Sequence, residues 1–133
     1  MAKLARRKIA AHLAKQLFEG KSPKELAQHA AAYLAENRQT AQAELLIRDV
    51  EVLLADNYQA VPVRVVSAHS LDNATRQHII RFVQESESAK SVIIVDEQVD
   101  SSLIGGVIVS TPTNIFDSTV RRQLQQLTVA TKD

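Results

Sequence analysis

Four histidines and a knot of carboxylates are the residues in this 133-residue chain whose types could carry chemistry. His12, His29, His69 and His78 include no pair at the i, i+4 spacing with which a helix chelates zinc, and no H-E-x-x-H is present. They read as ordinary surface or partly buried histidines. Asp96, Glu97 and Asp100 stand just ahead of Gly105-Gly106. A hard-cation site needs several oxygens converging in one loop, as the EF-hand spacing provides, and that spacing is absent. The trio reads as a solvated acidic loop; acid/base catalysis would further require a pocket and shifted pKa values. Gly105-Gly106 belongs to no G-x-G-x-x-G, P-loop or G-x-S-x-G pattern, so it marks a bulge or a close backbone approach rather than a nucleotide site. The chain has no cysteine, which removes disulfides, thiolate nucleophiles and Cys-ligated zinc together. No catalytic, metal-binding or cofactor-binding residue is expected, and no cofactor.

Charge carries more information. The first 24 residues hold seven Lys/Arg (Lys3, Arg6, Arg7, Lys8, Lys15, Lys21, Lys24) against Glu19, a balance of +6. The other 109 residues hold nine basic and fourteen acidic groups, a balance of −5. A basic helix on an acidic body is a polarised partner surface. Arg6, Arg7, Ile9, Leu13, Leu17 and Phe18 are the candidate partner-binding residues, combining this charge with an apolar stripe. Nucleic acid or an anionic membrane is the alternative partner for residues 3–24. Against nucleic acid, no stacking aromatics interleave the charges and no named motif is present. A small enzyme built on Asp96, Glu97, Asp100 and a histidine has no nucleophile or cofactor pattern to support it.

Two kinds of element must position these residues. Residues 1–60 hold 14 of the 18 alanines and 4 of the 23 valines plus isoleucines, and residues 61–133 hold the reverse balance. Alanine favours helix and β-branched residues favour strand. The expected class is therefore α+β: a short N-terminal helical bundle of about three helices over residues 1–58, then a small β-α-β-β-α sheet domain over 61–133. Leu4, Ile9, Leu13 and Leu17 recur at helical spacing, with Ala10, Ala14 and Phe18 flanking, and Gly20 is the stop. Ser22-Pro23-Lys24-Glu25 reads as a capping box opening a second helix with Leu26, Ala30, Tyr33 and Leu34 on its stripe. Thr40 is the expected cap of a third, whose apolar side is Ala43, Leu46, Ile47, Val50, Leu53 and Leu54, ending near Asn57. Small side chains supply little buried area, so this half is expected to draw stability from a partner.

From Val61 the pattern changes to strand. A strand is expected from Val61-Pro62, a helix capped by Asp72 or Ser70 and carrying Ile79, Ile80, Phe82 and Val83, and a covered strand at Val92-Ile93-Ile94-Val95. Further strand is expected from Gly105 to Val109 and briefly at Ile115-Phe116, around a Ser110–Asn114 turn. A last helix, capped by Asp117 or Ser118, carries Val120, Leu124 and Leu127. No apolar run approaches the ~18–20 residues of a membrane-spanning helix, and the basic N-terminus lacks a signal-peptide core, so a soluble, non-secreted protein is expected.

One stretch is specific. Val99-Asp100-Ser101-Ser102-Leu103-Ile104-Gly105-Gly106-Val107-Ile108-Val109, followed by Asp117-Ser118-Thr119-Val120-Arg121-Arg122-Gln123-Leu124, resembles the C-terminal signature of the delta subunit of F-type ATP synthases. The mitochondrial relative of that subunit is the oligomycin-sensitivity-conferring protein. The resemblance covers about residues 61–127, and residues 5–18 look like the family's first helix. It implies a non-catalytic peripheral-stalk subunit that keeps the catalytic head static. The N-terminal helices would hold the alpha subunits and the C-terminal domain would meet the b-type stalk subunits. The place implied is the cytoplasmic side of the cell membrane, with membrane association only through the complex and no nucleic-acid partner. Asp100, Leu103, Ile104, Gly105, Gly106, Asp117, Arg121 and Leu124 are the motif residues, read as structural. Leu103 and Ile104 are expected in the sheet's core, the glycines permit the bend into the strand, and Asp117 caps the last helix. Two departures are visible. The family usually has six N-terminal helices where this chain has room for about three, and Ser101 stands where proline is common.

Overall fold

The computed structural model describes residues 3–36, 38 and 40–119. Helix α1 runs Lys3–Phe18, α2 Pro23–Glu36 and α3 Ala43–Tyr58; strand β1 runs Ala60–Ser67, α4 Asn73–Glu87, β2 Ser91–Val99, β3 Val107–Ser110 and β4 Ile115–Asp117. Short 3-10 turns occupy Thr40–Gln42 and Ser101–Leu103. The class is α+β. The expected last helix, with Val120, Arg121, Leu124 and Leu127, lies outside the described residues.

Local chemistry sets most helix ends. After α1 the Lys21 N–H closes back on Gln16 O while Gly20 takes φ +91°, a conformation that costs glycine little. Ser22 Oγ accepts from the Glu25 N–H, with Pro23 at the first position of α2. Asp72 caps α4, accepting the Thr75 N–H at 2.7 Å, and these hydrogen bonds hold its carboxyl below the usual range. The expected cap Thr40 instead opens the 3-10 turn. Gln42 takes the N-cap position of α3 without a side-chain bond, because that extra turn separates Thr40 from the helix.

The sheet order is β2-β1-β3-β4. β1 and β2 are parallel, joined through α4, while β3 and β4 run antiparallel. Strand β2 continues past Val95 to Val99, so Asp96, Glu97 and Gln98 stand on a strand and not in the expected acidic loop. The physical reason is continued pairing with β1 after a bulge: Val63 pairs with Ile94, but Arg64 pairs with Asp96. The extra residue, Val95, reverses the facing of everything beyond it. Glu97 is thereby turned to the α4 side, where Arg76 donates two hydrogen bonds to its carboxylate at 2.6 and 3.1 Å.

Among the described residues, three clusters make the core. Val63, Val65 and Val109 of the sheet close on Ile79 and Val83 of α4. Ala10, Leu34 and Leu46 join the three N-terminal helices. Ala14, Leu54 and Ala60, with Leu17, Tyr58 and Ile93 packed around them, bridge helices and sheet at the seam. The side of α1 that meets α3 is not the one periodicity marks. Ala10 (0 % exposed) and Ala14 (1 %) are its most buried positions, whereas Ile9, Leu13 and Leu17 are only half-buried. Alanines let two helix axes approach closely, and the larger Ile9 and Leu13 beside them pack at the edge of the Ala10–Leu34–Leu46 cluster. On α3 the expected Ile47 is likewise exposed.

Candidate functional site

Rotation of α1 leaves its larger apolar residues facing α2 across a groove of ≈ 440 Å³. Ile9 and Leu13 from α1 and Leu26 and Ala30 from α2 supply its apolar surface. Lys8, His12 and Gln16 line it on one helix, His29 and Tyr33 on the other, and no carboxylate lines it. Rows spaced three and four residues apart on two neighbouring helices form the kind of channel that receives a third amphipathic helix. Lys8 is the one formally charged residue of that lining.

The six expected partner-binding residues separate here. Ile9 and Leu13 line the groove, and Arg7 is exposed. Arg6 turns inward: its Nε donates to Asp49 Oδ2 on α3 at 2.6 Å and its Nη1 to Gln42 Oε1 at 3.3 Å, with the side chain only 12 % exposed. Leu17 packs into the seam cluster. Phe18 stacks on Tyr58 with centroids 4.4 Å apart. Sequence reasoning missed Lys8, His12, His29 and Tyr33. The available signal was the near-continuous apolar character of α2, where Tyr33 and Leu34 are adjacent and cannot both face one neighbour.

The signature turn forms a second feature at the far end of the sheet. The Asp100 N–H donates to Ser67 O at 2.8 Å, and its Oδ1 accepts from the Ser102 N–H and Oγ at 3.0 and 2.7 Å. Leu103 is fully buried, as expected, but Ile104 is not in the core: it is 57 % exposed at φ +72°, ψ −48°. Consecutive residues in so tight a turn diverge, so burying Leu103 sends Ile104 outward. Gly106 has φ +82°, and a Cβ built on it would lie 2.5 Å from Ser118 O. That close approach is what the glycine pair provides, and Gly105 precedes it half-buried. Asp117 Oδ1 accepts from the Thr119 N–H and Oγ1 at 3.0 and 2.7 Å. Arg121 and Leu124 lie outside the described residues.

The acidic trio is dispersed. Asp96 pairs with Arg64 in register and accepts from Gln98, Glu97 is held by Arg76, and Asp100 caps its turn. Glu97 in turn raises the pKa of Arg76. Among the described residues no three His, Asp or Glu converge as a metal site, and no helix is long and apolar enough to cross a membrane.

An apolar channel carrying Lys8 and an outward isoleucine on a clamped turn thus stand on a fold of helices and one mixed sheet. Residues 3–130 match the ATP synthase delta (OSCP) subunit family, and the chain belongs to it. The ATP synthase subunit delta of Nostoc punctiforme is 34 % identical over 96 residues, covering 72 % of this chain and 52 % of that protein. The subunit delta of Histophilus somni is 27 % identical over 111 residues, covering 84 % and 60 %. The chain thus spans about half the length of the curated relatives it matches. A chain in a cryo-EM structure of the Polytomella F-ATP synthase is similar over 55 % of this chain and 91 % of that chain, at a TM-score of 0.48 and 18 % identity.

Proposed function

We propose that this chain is a non-catalytic connector in the peripheral stalk of a proton-translocating F-type ATP synthase, holding the catalytic head static while the rotor turns. Residues 1–58 bind the N-terminal segments of the alpha subunits, and residues 61–133 meet the b-type stalk subunits. The protein works at the cytoplasmic side of the cell membrane as a peripheral subunit, transmitting torque by surface complementarity. Family membership supports the assembly. The α1–α2 groove is the observation that carries the head-facing assignment, since its apolar floor, with Lys8 and no carboxylate in the lining, suits an amphipathic acidic segment.

The test leaves the seam intact. Deleting residues 1–57 would strip Ala14, Leu17 and Leu54 from the cluster that also holds Ala60 and Ile93, so loss of binding would be confounded with damage to the sheet. Leu13→Glu instead places a like charge opposite an acidic ligand inside the groove, and because Leu13 also packs against the Ala10–Leu34–Leu46 cluster, its helicity and melting temperature are first matched to wild type by circular dichroism. Isothermal titration of the intact chain with the alpha N-terminal segment should show affinity falling by about tenfold or more for this variant, as for a central contact. An Arg7→Glu variant, outside the groove, should lose far less. Equal affinity for wild type and Leu13→Glu would remove the groove from the head-facing surface.

A further inference from the structure

The helical half and the sheet half meet without a linker. Helix α3 ends at Tyr58 and strand β1 starts at Ala60, so Gln59 is the single residue between them. A hinge is a residue or two free to absorb a large φ/ψ change. Gln59 has no such freedom. Its φ is +51°, and its N–H donates back to Ala55 O as the left-handed cap of α3. Its carbonyl accepts the N–H groups of Lys90 and Ser91 at 2.9 and 3.3 Å. Ala60, next along, is fully buried and pairs with Ser91 of β2. Side chains close the rest of the junction. The buried Ala14 and Leu54 pack with Ala60, and Leu17, Tyr58 and Ile93 surround them. The Phe18 ring lies on that of Tyr58, 18° from parallel.

We propose that this seam is a brace that locks the helices and the sheet into one rigid body, so that a load taken by the α1–α2 groove passes into β1 and β2 with no hinge on the way. Helix α1 is the first link. Its Ile9, Leu13 and Gln16 line the groove, while its Ala14, Leu17 and Phe18 enter the seam, so groove wall and seam are parts of one helix. Helix α3 is the second link. The Arg6–Asp49 ion pair at 2.6 Å and the packing of Ala10 on Leu46 fasten it to α1, and it runs directly into β1. At the sheet, Ala60 and Ile93 stand near the starts of the parallel pair β1 and β2, and β1 also pairs with β3. Domains within one chain move relative to each other by default unless a large hydrophobic interface joins them. Here an apolar cluster, a ring stack and a doubly used carbonyl all cross the junction. The bearing on torque rests on the connector reading, which the brace deepens by leaving compliance between head and stalk to the partners; the rigidity itself stands without that reading.

The chain has no cysteine, so a pair of introduced cysteines takes spin labels at those two positions alone. Arg48→Cys on α3 and Glu85→Cys on α4, both exposed, place one label in each half. Glu85→Cys with Gln98→Cys on β2 is a control pair inside the sheet half. Pulsed electron–electron double resonance on the intact, free chain reads the spread of each distance. The pair across the seam should give a single distribution as narrow as the control. Leu17→Asp, which puts a carboxylate into the seam, should broaden the first distribution and leave the control unchanged. Phe18→Ala takes its place if that variant does not fold, since the Phe18 ring is half exposed and its loss spares the buried cluster. A broad or two-peaked distribution across the unaltered seam would overturn the brace, and so would a distribution that neither seam variant widens. Failure of the chain to bind alpha or stalk subunits would strike the connector reading and leave the brace standing, because the distances are measured on the free chain.

Discussion

Gly106→Ala should be far more damaging than the same change at Gly20. Two separable terms set the size. First, φ +82° lies in the left-handed region, where a side chain costs about 1–2 kcal/mol. Second, the new Cβ would lie 2.5 Å from Ser118 O and 3.0 Å from Thr119 Cα, both main-chain atoms that cannot swing aside. Relieving that contact means displacing residues that are themselves held, since the Ser118 N–H donates to Val107 O at 3.0 Å and Thr119 is fully buried. Overpacking of this kind costs about 1–3 kcal/mol. Alanine recovers about 0.4–1 kcal/mol by restricting the unfolded chain, leaving a net loss of about 1–5 kcal/mol with the middle of the range at about 3. Gly20→Ala is the internal control: φ +91° imposes the same backbone penalty, but nothing lies within 4 Å of the built Cβ. It should lose about 1 kcal/mol or less. Urea denaturation followed by circular dichroism reads the difference as a shift in midpoint at constant slope. If Gly106→Ala lost no more stability than Gly20→Ala, the close approach of the Ser118 carbonyl would be wrong, and with it one of the clamps on Ile104.

Three further outcomes are expected. Asp49→Ala leaves the Arg6 guanidinium nearly buried and facing only Gln42, so it should cost about 1–3 kcal/mol in urea denaturation. Arg6→Met should cost less, because Asp49 is the more exposed partner and can hydrate. Glu87 fastens the β3–β4 turn to α4. Partial burial pushes its carboxyl up, but hydrogen bonds from Thr111, Asn114 and Thr113 outweigh this and hold its pKa below the ordinary 4.5. A depressed folded-state value means that the stabilisation is fully present above pH 4.5 and is lost as the pH falls through the folded value. Wild type should therefore exceed Glu87→Gln in urea midpoint at pH 6, with the gap closing below pH 4.5; a constant gap would refute the assignment.

Composition and local spacing were enough to read the class of each half. The Ala-rich half holds α1, α2 and α3 and the Val/Ile-rich residues 60–117 hold the strands, because propensity and capping act within a few residues along the chain. Ser22, Gly20 and Asp72 sit at the helix boundaries that their chemistry announces. The signature at residues 99–109 also pointed to the family that the comparison of residues 3–130 shows.

Facing was another matter. Periodicity marks Ile9, Leu13 and Leu17 as apolar, but only packing against α3 buries Ala10 and Ala14 fully and keeps Ile9 and Leu13 half-buried at the cluster's edge, where they also line a groove. A single inserted residue, Val95, turns Glu97 toward Arg76, and no alternation rule predicts where a bulge falls. Arg6 looked like surface charge until Asp49, 43 positions away, came within 2.6 Å. Leu103 and Ile104 are equally apolar in sequence, yet one is sealed in the core and the other held in solvent at a strained φ. Each of these depends on contacts between residues far apart in the chain. Local preferences, worth a few tenths to about one kcal/mol per residue, are overridden when burial and close packing contribute several.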